Sequence, residues 1–210
     1  MRIFKTTVFL FSIILLSCAG NSPEIFNVKD FGAVGDGLTM DTKAINKAIK
    51  KCSKKGGQVV FPPGIYLSGS IHFKSNITLL LEKGATILGA ANDINAYDLP
   101  EPNQWDEYQD FGHSHFRNAL MWGENLENIT ITGEGTINGG GISRSDPDPG
   151  GGDKAISLKL CNKVSITGIT IENGGHFAIL ANGCNEMTIK NVMIDSPRDG
   201  IDLMACSNVL

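Results

Sequence analysis

Leu126-Glu127-Asn128-Ile129-Thr130-Ile131, Cys161-Asn162-Lys163-Val164-Ser165-Ile166, Cys184-Asn185-Glu186-Met187-Thr188-Ile189 and Cys206-Ser207-Asn208-Val209-Leu210 are four versions of one short phrase. Their first residues stand 35, 23 and 22 positions apart. The longest interval contains the glycine, proline and aspartate cluster from Gly139 to Asp153, which has the composition of an inserted loop. A repeat of this length fixes the architecture, because one unit cannot bury its apolar face alone and must stack on its neighbours.

Inside the repeats lie short β-branched runs, Ile129-Thr130-Ile131, Ile169-Thr170-Ile171 and Val192-Met193-Ile194, with Gly or Asn at the corners. Alternation over so few residues predicts strands of three to five residues. Coils of such strands, each pairing in parallel with its equivalent in the next coil, make a right-handed parallel β-helix, an all-β solenoid. Gly57 to Phe61, Ile65 to Phe73, Ile77 to Leu81 and Ala85 to Leu88 supply its looser first coils. Stacking puts Cys161, Cys184 and Cys206 in one inward column under Leu126. Neighbouring rungs are only ~4.8 Å apart, yet in-register parallel side chains rarely reach the torsion of a disulfide, so free buried thiols are expected.

Ahead of the coils, Ala44, Ile45, Ala48, Ile49 and Cys52 share one face at helical spacing. Asp41 is placed as N-cap, and Lys50, Lys51, Lys54 and Lys55 suit the C-terminal end before Gly56-Gly57. Such a helix covers the open end of the first coil, where strand edges and core would otherwise be bare.

The first residues set Arg2 and Lys5 before an apolar run, Val8 to Leu16, too short to span a bilayer. Residues 1–17 are therefore expected to be a signal segment. Leu15-Leu16-Ser17-Cys18 resembles the lipobox of bacterial lipoproteins, which implies lipidation of Cys18, a tether over 18–24 and an incomplete β-helix domain over 25–210. A plain secretory signal with an incidental cysteine is the alternative. Without residues 1–17 the chain has 16 basic and 22 acidic residues, a net charge of −6. That balance argues against nucleic acid as a partner. The resulting expectation is an exported monomer, held to the outer membrane or cell surface only by its lipid.

Asp30-Phe31-Gly32-Ala33-Val34-Gly35-Asp36-Gly37 and Gly57-Gln58-Val59-Val60-Phe61-Pro62-Pro63-Gly64-Ile65-Tyr66 look like the opening of pectin-active β-helix proteins. Gly175-His176-Phe177-Ala178-Ile179 and Asp199-Gly200-Ile201-Asp202, followed by Cys206-Ser207-Asn208-Val209, resemble glycoside hydrolase family 28, the polygalacturonases and relatives. In that family the motif runs Asn-Thr-Asp-Gly-x-Asp, and its first Asp belongs to a cluster of three catalytic carboxylates. The resemblance therefore gives Asp199 a catalytic role, with Asp202 as a second candidate that alternation sets nearer the coil interior. Pro197 and Arg198 replace the Asn-Thr pair, which leaves the preferred sugar open. The resemblance also implies inverting hydrolysis of pectic or related acidic polysaccharide without a cofactor. The family's other two acids, an Asp-Asp pair, belong one coil further on, near position 221, beyond Leu210.

His176 lies 23 residues before Asp199 and is expected one rung away on the same face, lining a sugar subsite or exposed in a turn. Arg198 is a candidate for a uronate carboxylate, or a solvated arginine. The aromatic stretch Asp93 to Trp122 is either a cleft wall or a loop packed over early coils. His113-x-His115 has ligand spacing without a third ligand, so no metal is expected. The rival functions are a noncatalytic glycan-binding β-helix and a polysaccharide lyase on the same fold, which would require calcium-binding carboxylates and a basic residue as base.

Overall fold

Short runs broken by glycine and asparagine corners wind into successive coils of parallel strands. The computed structural model describes residues 23–104, 107–145 and 147–210; the signal segment, Cys18 and Trp105 lie outside the described residues. The first coil holds β1 (Ile25–Asn27) and β2 (Asp36–Met40), followed by helix α1 (Thr42–Cys52). The second holds β3 (Gln58–Phe61), β4 (Gly64–Ser68) and β5 (Ile71–His72), the third β6 (Ile77–Leu81), β7 (Ala85–Gly89) and β8 (Ala119–Glu124). β9 (Glu127–Gly133), β10 (Thr136–Asn138) and β11 (Lys154–Lys159) form the fourth, and β12 (Asn162–Thr167), β13 (Thr170–Glu172) and β14 (Phe177–Asn182) the fifth. β15 (Asn185–Lys190), β16 (Met193–Asp195) and β17 (Asp199–Met204) complete the sixth, and β18 (Ser207–Val209) begins another.

Strands taken one per coil make three parallel sheets: β1-β3-β6-β9-β12-β15-β18, β2-β4-β7-β10-β13-β16 and β5-β8-β11-β14-β17. This is the right-handed parallel β-helix expected from the repeat. The phrases align residue for residue, Ile129 with Val164, Val164 with Met187 and Met187 with Val209. Ile129, Ile131, Val164, Ile166 and Met187 are buried in the core that runs along the axis. Cys161 and Cys184 are buried and Cys206 is half-buried; all three are free thiols, and the Cys161 N–H donates to Cys184 Sγ at 3.4 Å.

Each phrase turns at its third residue, and Asn128, Lys163, Glu186 and Asn208 all take φ between 53 and 56°. Asn76, in the same place one coil earlier, has φ 62°. Asparagine accepts this left-handed conformation cheaply, whereas lysine and glutamate adopt it against their preference.

The apolar face of α1 is buried as expected and lies against β1, β3 and β5. Asp41 precedes the helix but does not cap it. Its carboxylate instead accepts the N–H groups of Val34 and Gly35, at 2.8 and 2.9 Å, and pins the turn before β2. The stretch Ile65 to Phe73, expected to belong to the looser first coils, is two strands broken at Gly69-Ser70, where a segment of the 90–118 insertion crosses: any Cβ on Gly69 would collide with the Ala96 carbonyl. That insertion, with helix α2 (Phe111–Ser114), and the 139–153 insertion both rise beside the third sheet.

Candidate active site on the third sheet

The third sheet positions the chemistry. Asp199 is the register partner of Phe177, which pairs with Lys154, and Asp202 that of Leu180, which pairs with Ser157. Both aspartates stand on the outer face. Asp199 is open, its side chain 54% exposed, with Oδ2 3.6 Å from Arg198 Nε. Arg198 also donates from Nη1 to the Arg144 carbonyl at 2.7 Å, so the guanidinium bridges from the acid to the 139–153 insertion.

Asp202 is not turned into the coil, contrary to the alternation argument. Its Oδ2 lies 2.9 Å from His113 Nε2, and His113 Nδ1 lies 2.7 Å from Asp110 Oδ2. Burial works against a charged imidazole here, but hydrogen bonds to Asp202 and Asp110, and the charges of both, outweigh it and raise the His113 pKa. An imidazolium donates through both nitrogens, which suits two carboxylates. The bridge clips α2, capped at its start by the Asp110 side chain, onto β17. Phe116 closes the contact from the loop side over Phe177 and Leu180, and the Phe116 and Arg117 N–H groups donate to Glu101. The aromatic stretch is thus a packed loop: its 96–98 part covers the early coils at Ser70 and His72, as expected, and its 110–117 part reaches on over the later coils of this sheet.

His176 is 3% exposed and lines no open subsite. The corner before β17 is one residue shorter than the corner before β14, so Phe177, not His176, falls in line with Asp199. His176 lies flat against Phe177, ring centroids 4.2 Å apart, under Gly112. Burial lowers its pKa, with the Arg198 charge acting in the same direction. Neither ring nitrogen has a hydrogen-bond partner among the described residues.

Two features escaped the sequence reading. One is the Asp110–His113–Asp202 bridge, whose only signal was the i, i+3 spacing of Asp110 and His113. The other is a wholly buried ion pair, Lys154 with Asp153 at 2.5 Å, to which Asn118 adds a 3.0 Å hydrogen bond. Burial lowers the Lys154 pKa and Asp153 opposes the shift. Three rung steps from Asp202 along the outer face, Trp122 borders a cleft of about 560 Å³ with His72, Asp98 and Arg117. Trp122 Nε1 donates to Asp98 at 2.7 Å, and the Arg117 guanidinium lies 5.5 Å from the indole centroid. Among the described residues no three His, Cys, Asp or Glu side chains converge as metal ligands; His113 serves carboxylates, and His115 Nδ1 is 3.2 Å from the Phe111 carbonyl.

A three-sheet parallel β-helix with an exposed carboxylate on one sheet, walled by two insertions, is the frame of the candidate site. The chain belongs to the family described as rhamnogalacturonase A/epimerase, pectate lyase-like, whose model matches residues 25–205. Within it the chain is of the polygalacturonase-like type of glycoside hydrolase family 28. It is 36% identical over 128 residues to an exo-poly-alpha-D-galacturonosidase of Dickeya chrysanthemi, covering 59% of this chain and 21% of that one. It is also 36% identical over 190 residues to plasmin and fibronectin-binding protein A of Streptococcus pneumoniae, covering 88% and 23%. The family 28 exopolygalacturonase structure from Yersinia enterocolitica superposes with a TM-score of 0.74 at 24% identity, over 90% of this chain and 42% of that one, a likeness of fold. The chain spans less than half the length of the curated relatives it matches.

Proposed function

We propose that this chain carries the first coils and one catalytic carboxylate of an exported, Cys18-anchored glycoside hydrolase that cleaves pectic or related uronate-containing polysaccharide with inversion. The observation that carries the reading is Asp199: an open aspartate at the start of β17, in Asp-Gly-Ile-Asp, on the face that both insertions flank. Inversion takes a protonated acid at the leaving oxygen and a second carboxylate activating water ~6.5–9.5 Å away. Asp199 serves as one member; the family resemblance puts the other carboxylates in an adjacent Asp-Asp pair, which the 210 residues do not contain. Asp202 is occupied by His113 and acts as a positioning residue that fixes β17. Arg198 is half-exposed beside Asp199 and takes a substrate carboxylate. His176 supports Phe177 from beneath the loop and touches no sugar.

The test is a chain extended past Leu210 by its native coils, assayed for new reducing ends on polygalacturonate and on rhamnogalacturonan. Asp199→Asn is expected to lower kcat by at least ~10³-fold with the fold intact, as for members of a catalytic set acting as a unit. Undiminished turnover in that variant overturns the reading. A noncatalytic β-helix is the second reading, supported by the similarity over 190 residues to the pneumococcal plasmin and fibronectin-binding protein. It predicts no product from either polysaccharide, with or without Asp199→Asn.

A further inference from the structure

From Thr42 to Gly56 the chain carries six lysines, Lys43, Lys47, Lys50, Lys51, Lys54 and Lys55, and no acidic residue. Residues 57–210 carry nine basic and eighteen acidic residues. The first coil at the same end adds Lys29 and the carboxylates Glu24, Asp30, Asp36 and Asp41, so residues 23–56 carry seven basic and four acidic residues, a cationic cap on an acidic body. All six lysines are exposed. Lys55 pairs with Glu24 at 2.8 Å, and among the described residues no carboxylate pairs with the other five. The apolar face of α1 is spent on β1, β3 and β5, so the lysine face is the one turned away from the coils.

The same end exposes apolar side chains. Leu38 is 84% exposed, Ile25 65% and Val34 50%. Ile25 and Leu38 lie on β1 and β2, the outermost strands of two sheets. We propose that this end of the solenoid is a docking surface for an anionic lipid bilayer, with the lysines on the headgroups and Leu38, Val34 and Ile25 at the acyl boundary.

A polybasic surface is the second signal that turns a marginal lipid attachment into a stable one. The tether geometry agrees. Glu24, held by Lys55, is six residues from Cys18, the expected lipid site, and six residues span at most ~20 Å. A soluble polyuronate would also attract the lysines, but it would leave the apolar residues in water and meet repulsion from the acidic body. The bilayer accommodates all three features, and the repulsion then orients the body away from the surface. β17 lies four rung steps from β5, so docking holds Asp199 ~19 Å or more from the cap.

The test uses the full chain carrying Leu38→Trp, with the parent chain as background for its native tryptophans. Vesicles contain bromine-tailed phosphatidylcholine, either with phosphatidylglycerol or alone. Quenching above background is expected only with phosphatidylglycerol. It should fall at least twofold at high salt and in the combined Lys43→Gln, Lys47→Gln and Lys50→Gln variant, whichever of acyl chain or signal segment holds the protein on the vesicle. Equal quenching on both vesicles, indifference to the lysine substitutions, or displacement by polygalacturonate at matched charge overturns the proposal. Because the lysines and not Asp199 are read out, failure here leaves the hydrolase reading untouched.

Discussion

At the residue scale, His113 carries the most consequence, because one imidazole ties an inserted loop to the strand of the candidate acid. Its folded pKa is raised, so its contribution to stability is fully present below the unfolded value of 6.5 and is lost as pH rises through the folded value. Asp110 is depressed: burial opposes this, but the His113 backbone and side-chain hydrogen bonds and charge prevail. Its contribution is present above 3.8 and is lost as pH falls through the folded value. The bridge is thus firmest between those two values. His113→Gln should cost about 1 kcal/mol at pH 5–6, since charged hydrogen bonds are strong but this one is partly exposed. Denaturation midpoints of both proteins should converge as pH rises above the folded His113 value; a pH-independent gap would refute the charged bridge. A second residue-scale prediction concerns the left-handed corner. Lys163→Asn places at φ 56° a residue suited to it and should stabilise by about 0.5–1 kcal/mol, measured by urea unfolding. The sequence held the signal for this corner, because Asn occurs there in two of the four phrases, but lysine and glutamate in the other two hid the conformation.

At the element scale, strands were legible where β-branched runs repeat and illegible where another segment cuts across them. Ile77–Leu81 is a strand over the residues expected, because Ile77, Leu79 and Leu81 face the core without interruption. The Gly69-Ser70 break was invisible, since the segment that forces it is about 27 residues away in sequence. The same limit applies to the site. Asp199 followed from a motif, whereas its register partner depended on the length of one corner, and a single residue moved His176 from the open face to a buried corner. The loop over it is fitted closely. A Cβ on Gly112 would stand 2.5 Å from both Cε1 and Nδ1 of His176. Gly112→Ala must therefore lift α2 or push His176 against Phe177, and should cost about 1–3 kcal/mol as overpacking does. Hydrogen exchange should localise the loss to residues 107–116. Unchanged protection of those amides would show that the loop is not seated on His176.

At the scale of the whole molecule, stability is close to a sum over coils and the interfaces between them, so the last coil is the one that differs. Ile201 pairs with Ile179 and Val209 with Met187, yet Ile201, Leu203 and Val209 are 44%, 41% and 38% exposed while Ile179 and Met187 are buried. These side chains have the positions of core residues with no coil upon them. A following native coil would finish their burial, and half the value of three apolar side chains is about 3 kcal/mol. The repeat also predicts what such a coil adds to the chemistry. The 210 residues contain no adjacent Asp-Asp pair, and a set of carboxylates acting as a unit loses orders of magnitude with any one member. If a following coil brings such a pair, a chain extended by it is expected to produce reducing ends from polygalacturonate where the 210 residues alone produce none. The extended chain should also unfold at a higher denaturant midpoint with a larger m-value, because more surface is exposed on unfolding. Robust turnover by the 210 residues, abolished by Asp199→Asn, would place the whole catalytic set within these coils. Equal midpoints for the two chains would show that the exposed residues of β17 and β18 are not waiting core.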